Sequence, residues 1–274
     1  MKNALQSFFL ILILLFAGSS LLAQENKYDD LFEKIDVLAE KQKARPALEL
    51  IKEVGEKARK DGNTAMIIKS VMYSRLFQTY LNGNDLIPQI NMLRQDVLVA
   101  KQPEKSILQS LLAETYWNYY TINAYKIGQR TQIENDSTSD VSTWAVKRIL
   151  DEVQKNFEAS LKEVSLLQNF PVSKLSEILK GDDKTRYLRP TLYDLLSHIT
   201  LPIYRNTQLQ ILLTADGKDT TFKERSKHIF QNMIGFHKET GNKAAYCDAE
   251  LAQLKYFKSD AYGFDTLYYR GLQN

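Results

Sequence analysis

His198, His228, His237 and the single cysteine, Cys247, are the residues here with the widest chemical repertoire. A zinc site needs ligands at fixed close spacing, such as two histidines one turn apart with a third ligand nearby. His228 and His237 are nine residues apart, which on a straight helix puts them about two and a half turns apart on opposite faces. They cannot share an ion, and all three histidines are expected to be ordinary surface or boundary residues. Cys247 lies mid-helix between Tyr246 and Asp248, with no G-x-S-x-G elbow anywhere in the chain, and reads as a half-buried structural thiol. The carboxylate pairs Asp29-Asp30 and Asp182-Asp183 suit a helix start and a turn better than acid–base work. No glycine cluster follows a strand as a phosphate or dinucleotide loop requires. The run Tyr116-Trp117-Asn118-Tyr119-Tyr120 has rings that could stack sugars or bases. On one helix, however, Trp117 and Tyr120 point one way and Tyr116 and Tyr119 another, which suits two helix contacts. No catalytic, cofactor-binding or metal residue is therefore expected, and the chain is not read as an enzyme.

The elements around these residues are helical. Apolar residues recur at helical spacing at Leu31, Phe32, Ile35 and Leu38, then at Leu48, Ile51, Val54 and Ala58. Pro46 falls in the first turn of the second helix, and Asp61-Gly62-Asn63 stops it. A third helix carries Met66, Ile67, Val71, Leu76, Phe77 and Tyr80 to a stop at Asn82-Gly83-Asn84. A fourth carries Leu86, Ile90, Leu93, Val97 and Leu98. Pro103 opens a fifth that runs to about Lys126.

The polar stretch 128–140 has no apolar period and reads as an exposed loop. The helical pattern resumes from Val141 to about Gln168, with Asp140 or Ser142 as cap. A short helix follows Pro171. Another begins at Arg189-Pro190-Thr191-Leu192-Tyr193, with Leu195, Leu196, Ile199 and Ile203 on its face and Pro202 kinking or shortening it. Leu209 to Leu213 is the one β-like piece. The hairpin Phe222–Thr240 and Lys243–Lys258 turns at Gly241-Asn242. Hairpins of roughly 35 to 40 residues approach the tetratricopeptide period. The expected class is all-α, either a degenerate TPR-like solenoid of helical hairpins or an irregular helical array. Residues 24–127 and 141–274 form its two hairpin sets, as separate parts or one continuous domain.

Composition agrees with this. Among 274 residues, 44% are hydrophobic and 25% charged, which excludes a wholly disordered chain. With only 11 glycines and 6 prolines, a turn-dense β-sandwich is disfavoured. A net charge of +3 lacks the basic patch that drives nucleic-acid binding. Lys2, the apolar run Phe8–Phe16 and the small-residue-rich Ala17–Ala23 make 1–23 a secretory signal peptide, cleaved near Ala17-Gly18-Ser19 or after Ala23. The run is too short for a membrane span. One cysteine permits no internal disulfide, and it lies far from the leader, so no lipoprotein cysteine is present. The expectation is an exported protein, periplasmic, outer-membrane-associated or extracellular, with a protein partner and neither nucleic acid nor a membrane span.

Three stretches occur in a suggestive order: Leu111-Leu112-Ala113-Glu114-Thr115-Tyr116-Trp117-Asn118-Tyr119-Tyr120, Asp140-Val141-Ser142-Thr143-Trp144, and Leu188-Arg189-Pro190-Thr191-Leu192-Tyr193-Asp194-Leu195-Leu196. Together they resemble the helical N-terminal region of large bacterial α2-macroglobulin-like proteins, over most of the chain after the leader. The resemblance implies a noncatalytic scaffold or docking region ahead of β-sandwich macroglobulin domains in a protein that traps proteases as an endopeptidase inhibitor. Those domains have no counterpart in this sequence. Nor does the thioester motif, Cys-Gly-Glu-Gln-like in that family, since Cys247 is followed by Asp248-Ala249-Glu250. On this reading the chain is the N-terminal portion of such a protein, its partner being downstream domains of the same polypeptide. Two other readings stand beside it. One is a free-standing exported TPR-like module that binds a peptide or envelope protein in its groove. The other is a helical nutrient-binding protein working with an outer-membrane transporter.

Overall fold

A computed structural model describes residues 28–83, 85–131, 138–179, 183–206, 209 and 221–258. The chain is all-α. Among the described residues there is no strand, only an isolated antiparallel bridge between Pro171 and Thr191. The expected leader lies outside the described residues, as does most of the β-like piece; Leu209, its first residue, has helical backbone and is buried. Two compact units divide at Asn84, so the polar loop at 128–140 falls within the second unit instead of between units.

In the first unit, α1 spans 28–40, α2 Ala44–Asp61 and α3 Thr64–Asn82. Tyr28, Phe32 and Ile35 form the buried stripe of α1, and Ala47, Ile51, Val54 and Ala58 that of α2. Gly62 ends α2 with φ 65°, a left-handed position that glycine adopts without a Cβ clash. Asn63 then caps α3 by accepting from Met66 N at 3.1 Å. Tyr28 donates to Asp61 Oδ2 at 2.7 Å, and Phe32 meets Tyr73 edge-on at 5.0 Å, which ties α1 to both other helices. The second half of α3 departs from the expected stripe, because Leu76 and Tyr80 are exposed while Phe77 between them is buried.

The second unit holds α4 (Ile87–Val99), α5 (Glu104–Gly128), α6 (Val146–Ser160), α7 (Val164–Gln168), α8 (Leu192–Tyr204), α9 (Thr221–Glu239) and α10 (Lys243–Lys258). Short 3₁₀ turns lie at Val141–Thr143, Val172–Leu175 and Asp183–Leu188. The expected helix from Val141 to Gln168 is therefore three pieces. Asp140 caps the first 3₁₀ turn, accepting from Ser142 N at 2.9 Å, and Trp144 and Ala145 are extended. That break turns Trp144 inward, where it is fully buried against α5. Pro202 falls in the last turn of α8, which ends two residues later at Tyr204. The buried side of α8 is Leu192, Tyr193, Leu196, Thr200, Leu201 and Tyr204; Leu195, Ile199 and Ile203 are only half-buried.

Candidate functional site

Asp194 is the polar centre of the second unit. Thr191 and Asp194 form a capping box at the start of α8: Asp194 N donates to Thr191 Oγ1 at 3.1 Å, and Thr191 N donates back to Asp194 Oδ2 at 3.0 Å. Thr191 Oγ1 also donates to Oδ2 at 2.8 Å. The other carboxylate oxygen, Oδ1, accepts from His237 Nε2 at 2.9 Å across the α8–α9 seam. Asp194 and His237 are each 2% exposed. His237 is thus a core residue, which corrects the expectation of a surface or boundary histidine. It was missed because its partner lies 43 residues away in sequence, although Thr191-Leu192-Tyr193-Asp194 is itself a readable capping-box signature.

His198 sits one turn along α8 from the box, its Nδ1 donating to the Asp194 carbonyl at 2.8 Å. Burial and the neighbouring Arg189 guanidinium hold its pKa below the ordinary histidine range. His228 is exposed, in agreement with the expectation for it. Its Nδ1 lies 3.0 Å from Asn232 Nδ2, which also donates to the Tyr193 hydroxyl at 3.0 Å. Burial pushes the Tyr193 phenol up to about 12.

His228 and Asn232 border an open cleft of about 600 Å³ between α6–α7, α8 and α9. Its floor is apolar, with Leu161, Val164 and Ile229, and Tyr193 and Tyr204 stand at its back. Lys162, Lys227 and an Arg225–Glu158 ion pair of 2.9 Å mark the rim. A concave apolar floor with a charged rim suits reversible docking of an extended or helical segment.

The aromatic run resolves into packing. Tyr116, Tyr119 and Tyr120 are buried, and Trp117 tilts against Tyr120 at 5.7 Å. Tyr116 stacks on Trp144 with centroids 5.8 Å apart and planes at 25°. Arg148 and Arg94 approach the same indole at 5.0 and 5.6 Å, and Trp144 Nε1 donates to the Thr138 carbonyl at 3.0 Å. Arg130 Nη1 donates to the Trp144 carbonyl at 2.7 Å.

Cys247 is exposed on α10, not half-buried as expected, because Ala245 and Ala249 on either side supply the face that packs inward. Asp29 and Asp30 are exposed in the first turn of α1. Asp182 lies outside the described residues, and Asp183 opens a 3₁₀ turn. Among the described residues no group of three His, Cys, Asp or Glu side chains is arranged to hold a metal ion, and no helix is long and apolar enough to cross a membrane. Comparison with protein-family models, with curated proteins and with solved structures finds no match to this chain.

Proposed function

We propose that this chain is a noncatalytic helical docking region of an exported protein of the α2-macroglobulin-like type, acting through protein–protein contact. The observation that carries the docking reading is the cleft between α6–α7, α8 and α9, open, apolar-floored and charged at its rim. The family reading rests on the three landmark stretches and on the way they are used. Tyr116 of the first stacks on Trp144 of the second, and α5 also packs against α8, which begins in the third. Thr191 and Asp194 of that third stretch are occupied by helix capping. Residues spent on packing and capping suit a scaffold that positions neighbouring domains.

An antibody raised against this chain tests the proposal on fractionated source cells. An antigen much larger than the chain, found outside the cytoplasm and forming complexes with added protease, is the expected result. A cytoplasmic antigen overturns export. An exported antigen no larger than the chain, with no protease complexes, favours the free-standing peptide-binding module, which the same cleft would serve.

A further inference from the structure

A half-buried imidazole, His198, and a fully buried one, His237, share one residue, Asp194. His198 bonds its backbone carbonyl and His237 its carboxylate, at 2.8 and 2.9 Å. Both partners are pure acceptors, which fixes the tautomers: the proton is on Nδ1 of His198 and on Nε2 of His237. The remaining nitrogens, His198 Nε2 and His237 Nδ1, are buried with no hydrogen-bond partner among the described residues. A proton added to His198 Nε2 would be a buried donor without an acceptor, and it would bring a second positive charge up to Arg189.

Arg189 has a structural task of its own. Its Nε donates to Asp248 Oδ2 at 2.9 Å and ties the chain just before α8 to α10. The charges acting on His198 are those of Arg189, of Asp194 on its own helix and of Asp248 on α10, while α9 faces the same hub with His237.

We propose that His198 is an acid-responsive latch on the seam between α8 and the α9–α10 hairpin. Neutral, it satisfies the Asp194 carbonyl and leaves the Arg189–Asp248 bridge intact. Protonated, it carries a donor with no acceptor and a charge that repels Arg189, and it loosens the seam. The latch does not depend on what occupies the cleft. A depressed folded-state pKa means that the unfolded chain takes up the proton first, so stability is intact above the unfolded value of about 6.5 and falls as pH drops below it.

Urea unfolding of the whole chain between about pH 7 and pH 5 reads this directly. The unfolding equilibrium constant is expected to rise by up to about tenfold per pH unit until the folded-state pKa is passed. His198→Asn keeps an amide donor for the Asp194 carbonyl but cannot titrate, and should flatten that slope; His228→Asn, at an exposed position, should leave it unchanged. A slope that survives in H198N overturns the latch. If H198N does not fold, imidazole proton NMR of the unaltered protein decides. One of its three histidines titrating well below about 6.5 supports the latch. Three midpoints at or above that value overturn it. Hydrogen exchange corrected for pH should lose protection in 192–204 and 221–258, and a loss spread evenly over the chain overturns the seam as its locus.

Discussion

Asp194 Oδ1 accepts from His237 Nε2 at 2.9 Å with both side chains almost wholly buried, so a single carboxylate caps α8 and fastens α9 to it. The two tasks differ in size. Thr191→Ala removes the cap and is expected to cost about 1 kcal/mol. Asp194→Ala removes the cap and also strands the His237 donor, and is expected to cost about 2 to 4 kcal/mol. Urea unfolding of both variants at neutral pH checks the ordering; equal losses would mean that the seam contact adds nothing.

Trp144 joins the break before α6 to α5. Trp144→Ala leaves a cavity beside Tyr116 and frees Arg94 and Arg148 from the indole face, with an expected loss of about 3 to 5 kcal/mol. The stacking alone is smaller. A double-mutant cycle with Tyr116→Leu and Trp144→Leu should return a coupling of about 0.5 to 1.5 kcal/mol.

Elements bounded by local signals were legible in the sequence. The last hairpin resumes at Lys243 as read, with Gly241 at φ 72°, and Gly62-Asn63 separates α2 from α3 as read, because a left-handed stop and a side-chain cap are encoded within a few residues. What depended on distant partners was not legible. The break at Trp144 exists because the indole reaches Tyr116, 28 residues earlier, and no local breaker announces it. The face of α8 was read only in part for a related reason. Its apolar residues go most of the way round, so periodicity picks Leu195, Ile199 and Ile203 together with the buried Leu196, while the capping box and the His237 contact turn Leu192 and Thr200 inward as well. The cleft has residues from four helices and no linear signature.

Cys247 is exposed and should behave as a free surface thiol. Native protein is expected to react with a thiol-specific chromogenic reagent to one equivalent, without denaturant. Cys247→Ser should change stability by less than about 0.5 kcal/mol. Reaction only after unfolding would contradict the exposed position.

Tyr193 predicts the alkaline limit of stability. Its phenol is raised to about 12 by burial, so the folded chain holds that proton after the unfolded chain, at about 10, has lost it. The contribution is complete below pH 10 and is lost as pH rises towards 12, amounting to about 2 to 3 kcal/mol. Burial raises Tyr116 and Tyr204 in the same direction. Phenolate absorbance should therefore show a late group of tyrosines that ionise together with loss of helical circular dichroism. Tyr193→Phe, despite losing the Asn232 hydrogen bond, should make the alkaline fall shallower.

Gly55 sets how closely α2 approaches α3 in the first unit. A Cβ added there would meet Ser70 Oγ at 2.9 Å, and that hydroxyl is held in place by donating to the Ile67 carbonyl at 2.8 Å. Two effects compete in Gly55→Ala. Helix propensity favours alanine by about 1 kcal/mol, while the contact forces Ser70 to rotate and lose its bond or the helices to separate. The two should nearly cancel, or leave a small loss. Removing the hydroxyl separates them: in a Ser70→Ala background, Gly55→Ala should stabilise the chain by about 0.5 to 1 kcal/mol. Thermal unfolding of the four proteins in this cycle reads the difference. If Gly55→Ala stabilises equally with and without Ser70, α2 and α3 yield at this contact and Gly55 does not fix their spacing.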